Sequence, residues 1–414
     1  MGKEESGKGR TEERNRERRE EREGGWRERE NVYACWMCNF PGAANRQLSR
    51  LRELCGSFEA AYFADRGVWA EALSEKQVRE LADYTANWRP WEAFCKMEAE
   101  GTRLTAVSDE NYPERLKSIP DAPVGLFVRG RLPDKDMPAV AVIGARECSE
   151  YGRYVAKRLG AALGRGGVAV ISGMARGIDG ITQQAALEAG GRSVGVLGSG
   201  VDICYPAQNK NLYNHLQKYG AVVSAYPMGT PPRARNFPPR NRIVSGLADA
   251  VVVVEARAKS GTLITVDTAL EQGREVYVVP GRVTDGLSEG CNRLIKQGAD
   301  VLLDVEEFIR DIWERRGGYK GAERPGKSGE VFAGRRENPD GAGNPGRGGG
   351  LEDVLPPWLA AVCRALDFYP KSVEEIRMQM PDAYRKQNIA ACLMQLCMEN
   401  LAVQVSPGQF CRKS

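Results

Sequence analysis

The middle of the chain, residues 138–305, predicts an α/β fold built on a doubly wound parallel sheet. Short apolar runs without polar alternation recur there, as expected for strands buried on both faces: AVAVIG, VAVIS, SVGVLG, AVVSA, AVVVVEA, EVYVVPG and VLLD. Amphipathic helical segments such as YGRYVAKRLGAALG separate these runs. This alternation implies parallel strands joined by right-handed crossovers. Ligands of such sheets bind beyond the carboxyl ends of the strands, so we expect a site there.

The composition limits the possible classes of function. The 414 residues are 42% hydrophobic with a net charge of only +4, so a nucleic-acid surface would need locally clustered cations. Apolar runs fall short of the roughly 18 residues of a membrane helix, and no apolar signal core is present, so we expect a cytoplasmic protein without membrane contact.

Eleven scattered cysteines fit reduced thiols. Cys35 and Cys38 lack a second pair at zinc spacing, and His215 is the only histidine, so we expect no metal site and no histidine-based catalysis.

The flanking segments predict further parts. Residues 1–30 are highly charged with few aliphatic side chains and predict a disordered tail. Residues 31–107 carry short helical patterns and predict a small domain of helix-turn-helix or helix-hairpin type. The central domain is placed at 108–310, with a lead-in up to Gly130 that packs on the sheet. Residues 311–350 are rich in Gly, Arg, Pro and Glu and predict a flexible linker.

Residues 351–414 predict a winged helix, because three helical patterns precede two strand patterns around Pro407 and Gly408. Arg385–Asn388 fall near the start of the third helix, the usual groove-reading position. Winged helices also serve as protein-contact modules, so both DNA binding and protein contact stay open for this domain.

The pattern GxxxxGK[ST] of a phosphate loop occurs at residues 321–328, GAERPGKS, but the context is wrong. A phosphate loop needs a buried strand before it and a helix after it, and neither is predicted, so we expect no nucleotide cofactor. The carboxylates nearest the predicted strand ends, Asp179, Asp202 and Glu255, are not spaced as an acid/base pair. We expect no catalytic residues, and Asp179 to cap or pair within its own loop.

Small residues and cations recur where the predicted strands end, at Gly144, Arg146, Ser172, Gly173, Lys259, Ser260 and Gly261. Glycine lets backbone amides approach an anion closely, and an arginine can fork to a phosphate. Because these strand ends share one edge of the sheet, an extended anionic ligand explains the pattern better than a mononucleotide in one crevice.

The segment 226–247, YPMGTPPRARNFPPRNRIVSGL, contains no carboxylate and four arginines: Arg233, Arg235, Arg240 and Arg242. We interpret it as a proline-restricted loop closed by an amphipathic turn. Clustered arginines favour a polyanion, and Phe237 offers a ring face to an unstacked base. On this segment alone, an ordinary loop with solvated arginines and Phe237 in the core stays an open alternative.

These residues belong to a series of motifs: GARECSEYG, SGMARGID, VGVLGSGVDICYP, FPPRNRIVSGL, EARAKSGTLIT, GREVYVVPG and GCNRLIKQGA. The series, from about Ser108 to Asp304, resembles the DNA-processing protein A family (DprA, also called Smf). The resemblance implies a Rossmann-like protein that binds single-stranded DNA without catalysing a reaction. Members protect incoming strands and help load the RecA recombinase in natural transformation, usually as homodimers.

The resemblance also implies roles for single residues. They are a phosphate contact at Arg146, close backbone approach at Gly144 and Gly173, a base contact at Phe237, and groove residues Arg233, Arg235, Arg240, Asn241 and Arg242. Three positions depart from the family pattern, where Ala145 replaces a serine, Gln183 a histidine and Ala225 a glutamate. Loss of the hydroxyl is expected to weaken anion binding by about 1 kcal/mol rather than abolish it.

Two alternative functions belong to other classes. A nucleotide phosphoribohydrolase-like enzyme would carry PGGxGTxxE at a late strand–helix junction, but residues 258–265 lack the second glycine and the glutamate that would assist glycosidic cleavage. A regulator that binds double-stranded DNA would use the predicted winged helix.

Overall fold

The computed structural model of the protein describes residue 25, residues 29–318 and residues 355–413. Most of the predicted tail, most of the predicted linker and the whole GAERPGKS motif lie outside these described residues. Within them, the helices are too short or too polar to cross a membrane.

Helices form the first part of the described chain: α1 (residues 29–39), α2 (Asn45–Cys55), α3 (Phe58–Phe63), α4 (Arg66–Ala70), α5 (Glu75–Asn87) and α6 (Pro90–Ala99). They pack around a core that includes Trp36 and Leu81. Glu30 lies buried in α1 and accepts hydrogen bonds from the backbone N–H groups of Phe58 and Glu59 at the start of α3. A carboxylate there satisfies free helix N–H groups. The helical part therefore begins by residue 29, inside the segment predicted as a tail.

A nine-stranded sheet forms the centre of the described chain, in the order β1-β2-β6-β5-β4-β3-β7-β8-β9. The strands are β1 (Arg103–Ala106), β2 (Gly125–Gly130), β3 (Ala139–Ile143), β4 (Ala169–Ser172), β5 (Ser193–Val196), β6 (Ala221–Ser224), β7 (Ala250–Val253), β8 (Glu275–Val278) and β9 (Asp300–Val301). Strands β3 to β9 pair in parallel, and β1 and β2 add an antiparallel edge beside β6. The predicted parallel α/β sheet is confirmed. Since β1 belongs to it, the sheet begins upstream of the boundary placed at 108.

Helices cover both faces of the sheet: α7 (Glu114–Lys117), α8 (Glu150–Arg165), α9 (Ile178–Glu188), α10 (Lys210–Tyr219), α11 (Phe237–Gly246), α12 (Gly261–Glu271), α13 (Glu289–Lys296) and α14 (Val305–Arg315). On β3, Val140 and Val142 face the layer of α8, α9 and α14, whereas Ala141 and Ile143 face the layer of α7, α11, α12 and α13. Both faces of the sheet are therefore buried under helices, which is why the strand sequences do not alternate between apolar and polar residues.

Helix α14 corrects the start of the linker that was placed at residue 311. Its apolar side, with Phe308 and Ile312, is buried in the same core as α8. Trp313 adds a hydrogen bond from its indole Nε1 to the carbonyl oxygen of Gly166, at 2.9 Å. The chain therefore stays helical to Arg315, because packing of the amphipathic face stabilises the helix. The linker-like composition begins only after it.

The last part of the described chain has the elements α15 (Pro357–Ala365), β10 (Lys371–Ser372), α16 (Val373–Gln379), α17 (Ile389–Met398), β11 (Ala402–Ser406) and β12 (Gln409–Arg412). The strands form an antiparallel sheet in the order β10-β12-β11. The order α-β-α-α-β-β is compatible with the winged helix, and that assignment stays a prediction. Arg385, expected to read a groove, is engaged internally by Asp382 and by the carbonyl oxygen of Met380.

This C-terminal domain contacts helix α8 through the loop before β10. The ring of Phe368 stacks on Tyr154 at 4.1 Å, and the ring of Tyr369 stacks on Tyr151 at 5.1 Å. The guanidinium of Arg282 lies 3.7 Å from the centre of the Tyr369 ring. An aromatic contact therefore joins the C-terminal domain to the central sheet domain.

Candidate nucleic-acid interface

A crevice opens beyond the carboxyl ends of β3 and β7. Helix α8 follows β3 on one face of the sheet and α12 follows β7 on the other, which is the arrangement that leaves room for a ligand at the strand ends. A cavity of about 770 Å³ occupies this crevice, and a second one of about 440 Å³ adjoins it beyond β5. Arg146, Tyr205 and Phe237 line both cavities. We call these three residues the rim.

The rim brings a cation and two aromatic rings together. The exposed Arg146 guanidinium lies 5.8 Å from the centre of the Phe237 ring, and the centre of the Tyr205 ring also lies 5.8 Å from the centre of the Phe237 ring. Phe237 is half-buried, since its ring packs against the backbone at Gly198, where a Cβ would come within 3.1 Å of it. One part of the ring is thus fixed by packing while the rest lines the cavities. An exposed cation beside ring faces suits a phosphate next to an unstacked base.

Arg240 does not present its charge at the rim as an exposed phosphate contact. It is only 5% exposed, and its Nη1 donates hydrogen bonds to the carbonyl oxygens of Gly173 and Val196. Desolvation lowers the pKa of Arg240 to about 10, and the nearby Asp179 carboxylate opposes this shift. Arg240 therefore joins the ends of β4 and β5 beneath the cavity that it partly lines.

The small residues at the strand ends serve internal packing, and their role in close ligand approach stays a prediction. A Cβ at Gly173 would lie 2.0 Å from Nη1 of Arg240, so glycine makes room for that guanidinium. A Cβ at Gly144 would lie 2.7 Å from the Cγ1 atom of Ile178. Ser172 is buried, and its hydroxyl donates to the carbonyl oxygen of Val142 at 2.7 Å. The Ser172 hydroxyl is therefore used within the protein, whereas Gly144 and Gly173 line the cavity.

Two carboxylates near the crevice also act within the protein. Asp179 is buried and accepts a hydrogen bond from the Gly173 N–H at 3.1 Å, so it caps its own loop as expected. Glu255 is buried and accepts hydrogen bonds from the N–H and hydroxyl of Ser149 at the start of α8. Desolvation raises the pKa of both carboxyl groups, and these hydrogen bonds oppose the rise.

A helix divides the arginine segment, and it begins four residues before the helical stretch NRIVSGLA predicted from Asn241. Helix α11 begins at Phe237, with prolines in its first turn, where a missing N–H costs no helical hydrogen bond. Arg233 and Arg235 are exposed on the preceding loop, whose residues between and beside them line the cavity. Asn241 also lines the cavity, whereas Arg242 points to α12 and pairs with Glu271 at 2.8 Å. The structure therefore does not place Arg242 among the cavity-lining residues.

The start of α12 completes the crevice. Ser260 and Gly261 line the cavity, and Lys259 beside them is exposed. The hydroxyl of Ser260 is buried and has no hydrogen-bond partner among the described residues. Free N–H groups at a helix start, together with this hydroxyl, can donate to an anion.

Comparison with known proteins identifies the family. Residues 103–313 match the model of the DNA recombination-mediator protein A family, which covers half of the chain. This chain belongs to that family. DNA processing protein DprA of Streptococcus pneumoniae is 40% identical over 207 residues, or 50% of this chain and 73% of that protein.

Solved structures of the same family are similar to this chain. The X-ray structure of the Streptococcus pneumoniae DprA is 32% identical with a TM-score of 0.60, over 67% of this chain and 96% of that one. A structure of DNA processing protein A from Helicobacter pylori, described for its single-stranded-DNA binding mode, is 27% identical with a TM-score of 0.47, over 52% of this chain and 96% of that one.

Within this DNA recombination-mediator family member, sequence reasoning missed aromatic and cationic residues that line the two cavities, Arg176 after β4 among them. Tyr205 is 44% exposed and follows β5, and Arg257 is exposed and follows β7. Both come shortly after predicted strands. A search for aromatic and cationic residues after every strand, rather than for motif positions alone, would have found them.

One of the departures from the family pattern, Gln183, forms hydrogen bonds within the fold. Its Oε1 accepts the Met174 N–H at 3.2 Å, and its Nε2 donates to the Ser193 hydroxyl and the Val194 carbonyl oxygen. The buried amide thus ties the loop after β4 to β5. At Ala145, the carbonyl oxygen accepts the N–H of Ile178 at the start of α9, an interaction that does not depend on the side chain.

Proposed function

We propose that this protein binds single-stranded DNA along the crevice and acts as a recombination mediator, without catalysing a reaction. The observation that carries the proposal is the exposed Arg146 guanidinium beside the Phe237 ring, which Tyr205 also contacts, at the carboxyl edge of the sheet. Cations neutralise phosphates of any sequence, and aromatic rings stack on bases that are not already paired. Such a site favours a single strand over a duplex, with little sequence preference.

Of the carboxylates at the crevice, the two buried ones favour binding over hydrolysis, and the exposed Glu147 lines the cavity next to Arg146. Asp179 and Glu255 are buried and accept hydrogen bonds from neighbouring residues, so neither is free to act as a general acid or base on a bound ligand. The helix start at Ser260–Thr262 donates hydrogen bonds but carries no glutamate. These features favour a non-enzymatic function over a phosphoribohydrolase.

The family name supplies the cellular role in this proposal. A recombination mediator delivers single strands to a recombinase, so we propose a RecA-type recombinase as partner and the processing of incoming DNA during natural transformation as the setting. We further propose that the protein acts in the cytoplasm as a homodimer. Gel filtration with light scattering, with and without oligonucleotide, measures the oligomeric state directly.

Fluorescence anisotropy of labelled oligo-dT and of a matched duplex, across a salt series, tests the binding proposal. We expect tighter binding of the single strand and a steep fall in affinity with salt. Arg146→Ala should reduce the salt slope by about 0.7, the value for one phosphate contact on a single strand. Phe237→Leu should weaken binding by about 1–3 kcal/mol with little change in slope, because it removes a stacking surface and no charge.

Arg131→Ala is the matched control for these variants. Arg131 is exposed and follows β2 at the opposite edge of the sheet, where Gly130 pairs with the first residue of β6. Its removal should leave oligo-dT binding unchanged. Absence of binding to either nucleic acid would refute the proposal, and nucleoside-monophosphate hydrolysis would then be assayed. Preferential binding of the duplex would favour the regulator that uses the C-terminal domain.

A further inference from the structure

A groove of about 920 Å³ runs beside the rim, between helices α8 and α9. It begins at the carboxyl edge of the sheet, where Arg146 lines both the groove and the rim cavities. Arg165 and Glu188 line its far end, at the last turns of the two helices. The groove therefore adjoins the rim cavities, since Arg146 lines all three and the exposed Arg176 lines both the groove and the smaller rim cavity.

Cations dominate the groove. Arg153, Lys157 and Arg165 line it from α8, where each step of four residues advances about 6 Å along the helix. Arg176 lines it from the loop before α9. Together with Arg146, these cations outnumber the carboxylates in the lining, Glu147 and Glu188.

Two of these cations have no partner in the part of the chain that the structure describes. Among the described residues, no hydrogen bond or ion pair engages the exposed side chain of Arg165 or Arg176. Arg153 differs, since it pairs with Glu150 at 3.3 Å. Uncompensated cations at separate points along one groove create a positive field over its whole length.

Helices α8 and α9, which flank the groove, pack closely against each other at small residues. A Cβ at Gly160 would lie 2.3 Å from the carbonyl oxygen of Thr182, and one at Gly164 would lie 2.6 Å from that of Ala186, so the two helix backbones are in direct contact. Ala161 lines the groove above this contact. Between the cations, the lining of the groove also includes Ile181 and Leu212.

We infer that a single strand bound at the rim continues into this groove, with successive phosphates against Arg176, Lys157 and Arg165. The inference rests on the proposed function and extends it from the strand ends to the helix layer. Cations repeated at intervals along a channel match an anion that repeats at intervals, as a nucleic-acid backbone does. The groove offers no comparable set of aromatic rings, so it should contribute charge rather than base contacts.

The test compares a short oligo-dT of about six nucleotides with a long one of about twenty, using the full chain across a salt series. The long strand should bind more tightly and with a steeper salt slope. The double variant Lys157→Ala/Arg165→Ala should lower the salt slope for the long strand by about 1.4, or two single-strand contacts of about 0.7 each. Affinity for the long strand should fall roughly tenfold, while that for the short strand stays near wild type.

Arg131→Ala/Lys218→Ala is the control, since it removes the same charge from exposed residues outside the groove. It should leave the difference between short and long strands intact. Equal affinity and slope for both strands in the wild type would overturn the groove inference while leaving the proposed function standing. A loss of long-strand affinity in the groove variant that is no larger than the loss in the control variant would also overturn the groove inference. Failure of both strands to bind would instead remove the proposed function itself.

Discussion

Gly173 and Arg240 act as one unit at the floor of the crevice. The guanidinium is buried against the glycine, donates to the carbonyl oxygens of Gly173 and Val196, and balances the Asp179 charge. A flexible arginine could normally move away from an added methyl group. Here movement would leave two carbonyl oxygens and a carboxylate without their partner in a buried environment, so the arginine is held in place.

Gly173→Ala is therefore expected to destabilise the protein by about 2 kcal/mol, because its Cβ would overlap the Arg240 guanidinium. Urea unfolding measures the loss. Gly67→Ala is the control, since a Cβ at that helical position meets nothing within 4 Å and alanine favours a helix. If Gly173→Ala unfolded at the same urea concentration as the wild type, the guanidinium would have an alternative position and the unit described above would not exist.

The sequence predicted which segments meet at the crevice but not which arginines face it. Arg146 was expected at the strand ends because parallel strands end at one edge, and in the structure Arg146 and Phe237 both line the cavity there. Arg240 and Arg242 were treated alike, although residues two apart on a helix point in different directions. Arg240 and Arg242 have different environments because both lie on α11, which begins at Phe237. The prolines in its first turn made that stretch resemble a loop in the sequence.

At the level of elements, Asp249 connects four parts of the fold. Its carboxylate lies just before β7 and accepts from the N–H of Ala139 at the start of β3. It also accepts from Arg115 on α7, at 2.7 Å, and from Arg316 just after α14, at 2.7 Å. The burial of Asp249 raises its pKa, but the hydrogen bonds and charge of Arg115, with those of Arg316, outweigh burial and hold the pKa below its ordinary value of 3.8.

Asp249→Asn should cost about 2 kcal/mol of stability near neutral pH, because it leaves two partly buried arginines without their counter-charge. A depressed pKa stabilises the fold above the unfolded value and loses that effect as pH falls through the folded value. The stability gap between wild type and variant should thus be full above about pH 4 and shrink below pH 3.8. Thermal unfolding of both proteins between pH 7 and pH 3 measures it. A gap that stays constant down to pH 3 would contradict the electrostatic role.

Elements were predictable from sequence where burial was complete. The parallel strands β3 to β7 are buried at every position, and their unbroken apolar runs showed it. Strand β1 alternates between exposed and buried positions over four residues, and β10 has only two residues, so neither left a pattern distinct from a loop. Both owe their strand structure to a neighbour that pairs with them.

At the scale of the whole molecule, helix α8 connects the C-terminal domain and the proposed DNA groove. Tyr151 and Tyr154 contact the C-terminal domain, whereas Lys157 lines the groove. Stacked pairs contribute about 0.5–1.5 kcal/mol each beyond the area they bury. A few such contacts hold the C-terminal domain against the sheet domain, so removing them should release it without unfolding either domain.

The double variant Phe368→Ser/Tyr369→Ser should separate the two domains, because both residues are half-buried in the contact rather than in the core of the C-terminal domain. Small-angle X-ray scattering should show a larger radius of gyration, with circular dichroism unchanged. Met398→Ser is the control, since that side chain is 80% exposed on α17. Release should leave the affinity for a short oligo-dT unchanged, because neither aromatic residue lines the rim cavities. An unchanged radius of gyration would mean that contacts other than these two rings hold the domains together.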